Sequence, residues 1–201
     1  FFKQKTAYEI KECDWSSDVC SSDLICHIRA TEATIIHVMH LNVLFLCTHN
    51  SARSILSEAL LRHLGRGRFQ AYSAGSSPRE HQQPHPLALA TLSQAGIPTA
   101  GLSSKSWDVF ARPDAPRMDL IITVCDNAAG EVCPIWPGHP ATAHWGFADP
   151  SAVDGEEARR RAFVETLGLI RLRIEALVAL SDAELSPNQL QQAARRLALA
   201  S

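Results

Sequence analysis

One stretch limits the choice of fold more than any other: Cys47-Thr48-His49-Asn50-Ser51-Ala52-Arg53-Ser54. Before it runs Val43-Leu44-Phe45-Leu46, a continuous apolar run of the kind expected for a strand buried on both faces. After it, Ile55, Leu56, Ala59, Leu60 and Leu64 recur on one broad helical face that stops near Gly65. A cysteine at a strand end, a short turn and an arginine opening a helix make an oxyanion cradle. Backbone N–H groups of the turn and the helix start point inward, and the helix dipole adds positive potential. Thr48, His49, Asn50, Ser51, Ala52, Arg53 and Ser54 are the candidate cradle residues. Arg53 can grip two oxygens with its planar fork. Cys47 lies in the same field, so its thiolate is expected to be stabilised. Such settings bring a thiol pKa from about 8.5 down to roughly 3.5–7.5.

The next segments extend the pattern. Phe69–Ser73 reads as a second strand that exits into Ala74-Gly75-Ser76-Ser77-Pro78. Strand, helix, strand at this spacing is a βαβ unit and implies a parallel sheet. Pro84–Pro86 open a helix through Leu87–Ala95, closed by Gly96 and Pro98. Ser103-Ser104-Lys105-Ser106 leads into a short helical turn at Trp107–Phe110, with a serine as cap; Lys105 reads as a solvated charge, with a role near the site as the alternative. Asp119–Val124 is another buried strand and runs straight into Cys125. Open parallel sheets bind ligands outside the carboxyl ends of their strands, so Cys47 and Cys125 are expected on one rim.

Cys133 follows Cys125 across a small, polar segment suited to a loop. Thr142–Gly146 is expected as the last strand, which delivers Asp149 towards the same rim, with Pro150 fixing the turn. A carboxylic acid there can protonate a leaving oxygen; helix capping is the other role open to it. From about Glu156 to Leu180 one long amphipathic helix carries Phe163, Leu167, Ile170, Ile174 and Leu177 at spacings of four and three. Residues 181–201 read as a further helix or tail of no evident function.

Bulk properties exclude several classes. A formal net charge of -2 gives no reason to expect nucleic acid or an anionic membrane. No apolar run reaches the length of a membrane span. Cys47, Cys125 and Cys133 are the thiols of the globular part, and their sparse use points to redox or catalytic work in a reducing, cytoplasm-like compartment. The spacing of Cys125, Cys133, His139 and His144 does not match structural zinc patterns, so no metal is expected. Phe1–Leu24 lacks periodicity, and its wording resembles translated sequencing-adapter read-through. Residues 1–38 are therefore expected outside the natural protein, with a start at Met39 and the domain at 39–180.

Four motifs together are specific: CTHNSARS at 47–54, SAGSSP at 73–78, VCDNAAGEVCP at 124–134 and HWGFADP at 144–150. From Met39 to about Leu180 the chain resembles arsenate reductases of the low-molecular-weight protein tyrosine phosphatase fold. The resemblance implies an α/β three-layer sandwich with a four-stranded parallel sheet. It also implies reduction of arsenate to arsenite without a metal or organic cofactor. Carried onto this sequence, it makes Cys47 the attacking thiolate, Arg53 the oxyanion clamp and Asp149 the proton donor. Ser54 supports the thiolate and Asn50 shapes the loop. Cys125 and Cys133 become the redox partners, closing a 47–125 and then a 125–133 disulfide, with thioredoxin or glutaredoxin and glutathione as reductant. Two departures stand out: the Cys125–Cys133 gap is one residue longer than in the thioredoxin-coupled members, and Ala52 occupies a position that is Cys in related phosphatases. The rival readings are a low-molecular-weight protein tyrosine phosphatase, and a noncatalytic oxyanion- or arsenic-binding protein. Ser151-Ala152 after Asp149-Pro150, where such phosphatases carry tyrosines, leans against the first.

Overall fold

The structure is a computed structural model that describes residues 40–125, 136 and 138–199. Cys133 and the segment before His40 lie outside the described residues. The sheet and its helices belong to the unit His37–Ser201.

Four strands form one sheet among the described residues: β1 (Leu41–Cys47), β2 (Phe69–Gly75), β3 (Leu120–Thr123) and β4 (Ala141–His144). Their order is β2-β1-β3-β4 and every pairing is parallel. β1 is central, which explains its unbroken apolar run: Val43, Leu44, Phe45 and Leu46 are all 0% exposed because both faces are covered. It runs longer than Val43–Leu46 because the polar start is satisfied. The Asn42 backbone N–H donates to Asp119 Oδ2 at 2.8 Å, and its side-chain amide donates to the Arg117 carbonyl at 2.8 Å. β2 and β4 are edge strands with mixed burial, so apolar periodicity marks them more weakly.

Helices α1 (Arg53–Leu64), α2 (Pro86–Gln94), α3 (Glu156–Val178) and α4 (Leu190–Leu199) supply side chains to one large core with the odd-numbered residues of β1. Leu44 and Leu46 face the other way, into a smaller cluster with Phe110, Met118, Ile121 and Trp136. The 3-10 turn Trp107–Phe110 closes that second layer, its start capped by Ser106, which accepts from the Asp108 N–H. The result is an α/β sandwich with packed layers on both faces of a parallel sheet.

The apolar stripe of α3 falls on the core: Phe163, Ile170, Ile174 and Leu177 are fully buried and Leu167 nearly so. α2 begins at Pro86, with His85 as its cap. α4 is integrated as well. Leu190, Ala193 and Ala194 are buried, and the indole N–H of the fully buried Trp145 donates to the Ala194 carbonyl at 2.9 Å. Arg68 reaches the carbonyls of Val178 and Leu180, satisfying acceptors at the end of α3.

Candidate functional site

The strand order reverses between β1 and β3, since β1 is followed in sequence by β2 on one side and in the sheet by β3 on the other. That is the switch point at which open α/β sheets leave a crevice beyond the carboxyl ends of their strands. Cys47 is the last residue of β1, and Leu46 pairs with Thr123 at the end of β3. Cys125 comes two residues later and is 2% exposed. The Thr48 hydroxyl lies 3.6 Å from Cys125 Sγ, which places the second thiol beside the start of the cradle. A cavity of about 90 Å³ opens there, lined by Cys47, Thr48, His49, Ser51, Ala52, Arg53, Asp149 and Ser151.

The loop owes its shape to a few contacts. Asn50 adopts φ 51, a left-handed conformation that asparagine tolerates better than most residues. This turns its N–H onto Cys47 Sγ at 3.2 Å. His49 anchors the outer wall through Nδ1, 2.9 Å from the Ser77 carbonyl. Gly75 lies against the loop so closely that a Cβ would come within 2.7 Å of the Thr48 carbonyl oxygen and 3.1 Å of the Asn50 nitrogen. At the start of α1, the cap residue Ala52 offers no side-chain hydrogen bond, and no acidic residue occupies the first turn. The first N–H groups and the positive end of the dipole therefore face the cradle without competition from a side-chain cap.

Asn50 and Ser54 are 0% exposed and stand behind the cradle wall rather than on it. There they belong to a chain of hydrogen bonds whose direction can be worked out. The Lys105 backbone N–H donates to Asn50 Oδ1 at 2.8 Å, so the amide nitrogen must face the other way. Its two protons go to Ser54 Oγ at 2.9 Å and Ser73 Oγ at 2.8 Å. Ser73 passes its own proton to Glu58 Oε2. Ser54 Oγ, already an acceptor, is left to donate to Cys47 Sγ at 2.9 Å. The Asn50 amide, fixed by the Lys105 N–H, thus sets the direction of the branch that ends at sulfur, and a hydroxyl donating to sulfur favours the thiolate.

Burial opposes this. It pushes the Cys47 thiol above its ordinary value; the Ser54 hydroxyl pulls down, the nearby Cys125 pushes up, and the Asn50 and Ser54 N–H groups pull down. The expectation of a lowered pKa is thereby corrected: desolvation of a buried sulfur outweighs its donors.

Glu58 is itself 2% exposed and is held by Arg62 four residues on and by Lys105 Nζ at 4.0 Å. Lys105 is not a solvated charge. Its ammonium donates to the carbonyls of Ser73 at 3.2 Å and Ser103 at 2.9 Å, and burial lowers its pKa while Glu58 offsets part of that.

Arg53 and Asp149 meet. Nη2 of Arg53 lies 2.8 Å from Asp149 Oδ2, and Nη1 donates to the Phe147 carbonyl at 2.9 Å. Arg53 Nε is buried without a hydrogen-bond partner. The other Asp149 oxygen accepts from the Ser151 N–H at 3.0 Å and the Ser151 hydroxyl at 2.7 Å, capping the 3-10 turn Pro150–Ala152. Asp149 therefore both caps and faces the pocket.

Sequence reasoning missed Glu58, Ser73 and Ser151. A signal for Glu58 existed: Ser54, Glu58 and Arg62 form a polar line at spacings of four beside the apolar face of the helix. Ser73 lies within β2 and carries no comparable mark.

Comparison with known proteins places this geometry in context. The family model for low molecular weight phosphotyrosine protein phosphatase matches residues 42–192. An arsenate reductase from Bacillus licheniformis is 36% identical over 124 residues, 61% of this chain and 84% of that protein. One from Bacillus subtilis is 32% identical over 123 residues, 61% of this chain and 84% of that protein. Among solved structures, an arsenate reductase in the phosphate binding state superposes with a TM-score of 0.57 at 27% identity, covering 69% of this chain and 97% of its own. The tyrosine phosphatase Wzb from Escherichia coli K30, solved with sulphate, superposes with a TM-score of 0.56 at 20% identity, covering 68% of this chain and 95% of its own. At that identity it speaks for the fold alone.

Proposed function

The chain belongs to the low molecular weight phosphotyrosine protein phosphatase family, and we propose that within it the protein works as an arsenate reductase, converting arsenate to arsenite with its own thiols. The observation that carries this reading is the second buried thiol, Cys125, beside the cradle that holds Cys47. A phosphate-ester hydrolase needs water at that place, not sulfur. The relatives and the structural neighbour above 25% identity bear the name arsenate reductase.

The steps follow from the groups present. Arsenate enters the cradle as a phosphate-like anion and meets the uncapped N–H groups of α1 and the Arg53 fork. The Cys47 thiolate attacks arsenic, an As–O bond breaks, and Asp149 supplies the proton that lets the oxygen leave as water. The Cys125 thiolate then attacks Cys47 Sγ. The sulfur–arsenic bond breaks with its electron pair staying on arsenic, which leaves as arsenite, and a 47–125 disulfide closes. Cys133 attacks Cys125 and frees Cys47, and a dithiol protein of the thioredoxin type, with a potential of about −270 mV, or glutaredoxin with glutathione, reduces the 125–133 bond.

The Cys125→Ser variant tests the reading. A reductase stalls after one covalent event and loses arsenite formation under recycling. Hydrolysis of para-nitrophenyl phosphate at nearly the parent rate, with no parent arsenate turnover, makes the protein a phosphatase. Stoichiometric oxyanion binding with neither activity makes it a receptor.

A further inference from the structure

α3 has a second face. Opposite its core stripe it exposes Val164 (55%) and Leu172 (64%), large apolar side chains four residues to either side of Gly168. A Cβ at Gly168 would meet nothing within 4 Å, so packing inside this chain does not require a glycine there. A glycine in a helix interior weakens the helix and allows another backbone to approach closely.

The charges around this glycine form a palindrome of opposite signs. Three residues before it stands Glu165 and three after it Arg171; seven before stands Arg161 and seven after Glu175. All lie on the same side of the helix as Val164 and Leu172. When two such helices run antiparallel about a two-fold axis at Gly168, each residue meets its mirror position in the other copy. Val164 meets Leu172, Glu165 meets Arg171, and Arg161 meets Glu175. A parallel pairing in register would set Glu165 on Glu165 and Arg171 on Arg171, which like-charge repulsion disfavours. Two-fold association of identical surfaces requires this self-complementarity.

We propose that this face of α3 is a homodimer contact in which two copies of the chain pack antiparallel across Gly168. Arg171 already lies 3.5 Å from Glu175 of its own helix, so the contact builds a charge network that fixes orientation around a small apolar centre. One helix against one helix is below the standard interface size, so the dimer is a weak, concentration-dependent one. None of these residues lines the cradle, so catalysis does not depend on it.

Sedimentation velocity of the full chain under reducing conditions, from micromolar to millimolar, tests this. A reversible monomer–dimer equilibrium is expected. Leu172→Glu, on an exposed position, should weaken it about tenfold or more. Glu165→Arg should weaken it too, and the double swap Glu165→Arg/Arg171→Glu should restore it. Under mild oxidation, Gly168→Cys should cross-link to itself faster than Leu172→Cys and faster than the parent. Position 168 lies on the axis, whereas two copies of position 172 stand about 12 Å apart along the helices. A monomer at every concentration overturns the proposal. So does a dimer indifferent to Leu172→Glu and to the charge swap, or equal cross-linking at the two positions. Each variant is compared with the parent for its melting temperature, so that a misfolded chain is not scored.

Discussion

Cys47 is caught between two opposed effects at a single atom. The hydrogen bonds aimed at its sulfur favour the thiolate, and enclosure away from water favours the thiol; enclosure prevails. Since the folded pKa lies above the ordinary thiol value, the reactive fraction grows as pH rises through the alkaline range. Alkylation of Cys47 by iodoacetamide, followed by mass spectrometry of its peptide, should show a midpoint above that of a free thiol. Ser54→Ala removes the strongest opposing donor and should move the midpoint further up; an unchanged midpoint would mean that Ser54 does not donate to the sulfur. The second residue-scale case is Arg53. Its fork is divided between Asp149 and the Phe147 carbonyl, so an entering oxyanion competes with a carboxylate for the same guanidinium. Asp149→Asn should therefore bind inorganic phosphate several-fold more tightly by calorimetry. It should also slow arsenite formation by about 10²–10⁴, the usual worth of a general acid. Weaker phosphate binding in Asp149→Asn would show that the ion pair prepares Arg53 instead of occupying it.

At the level of the strand–loop–helix element, the cradle is held in shape from outside as much as by its own residues. β2 ends at Gly75, and the cradle backbone rests on the bare Cα of that glycine. Gly75→Ala forces a Cβ against a carbonyl oxygen and an amide nitrogen of the backbone, neither of which can swing away as a side-chain end does. The loop must shift, and shifts well under 1 Å are felt in a site that works by positioned N–H groups. Phosphate affinity and the rate of Cys47 alkylation should both change, while the melting temperature moves far less than for a core truncation. Retained phosphate affinity in Gly75→Ala would show that the loop keeps its shape without this support. Much of the element is legible in the sequence, because its signals are local. The apolar run Val43–Leu46, bounded by turn residues, reads as a doubly covered strand, and the Cys-x5-Arg turn that follows reads as a helix start open to an anion. Glu58, Ser73 and Lys105 are harder to read, because their roles depend on contacts between residues far apart in sequence. Ser73 lies in β2 and Lys105 in a later loop, and only the folded sheet brings them to Asn50. The pKa of Cys47 escapes a sequence reading for a related reason: donors can be inferred from a motif, but the depth at which the sulfur is buried depends on the whole core.

For the whole molecule, the open question is how far the cooperative unit extends along the chain. Residues 181–201 carry no functional signal, and their pattern alone permits a detachable tail. The packing argues for the opposite. α4 places Leu190 at 2% exposure and Ala193 and Ala194 at 1% and 0% in the same unit as the sheet. It also takes the one indole proton of Trp145, whose ring lies 6.3 Å from that of Phe45 in the central strand. A helix that satisfies a buried donor cannot leave without exposing that donor's ring and its neighbours to water. Leu190→Ala should then cost about 2–5 kcal/mol, the range for a buried leucine truncated in a core. At roughly 2–4 °C per kcal/mol for a domain of this size, the single melting transition should fall by about 5–20 °C. Were α4 an appendage, Leu190→Ala would fray the C-terminus and leave the main transition in place. Tryptophan fluorescence of a variant that keeps Trp145 as its one tryptophan, followed beside circular dichroism, separates the two cases: one shared midpoint that moves with the substitution makes α4 part of the fold that holds the cradle, because β4, Trp145 and the segment carrying Asp149 are then stabilised together.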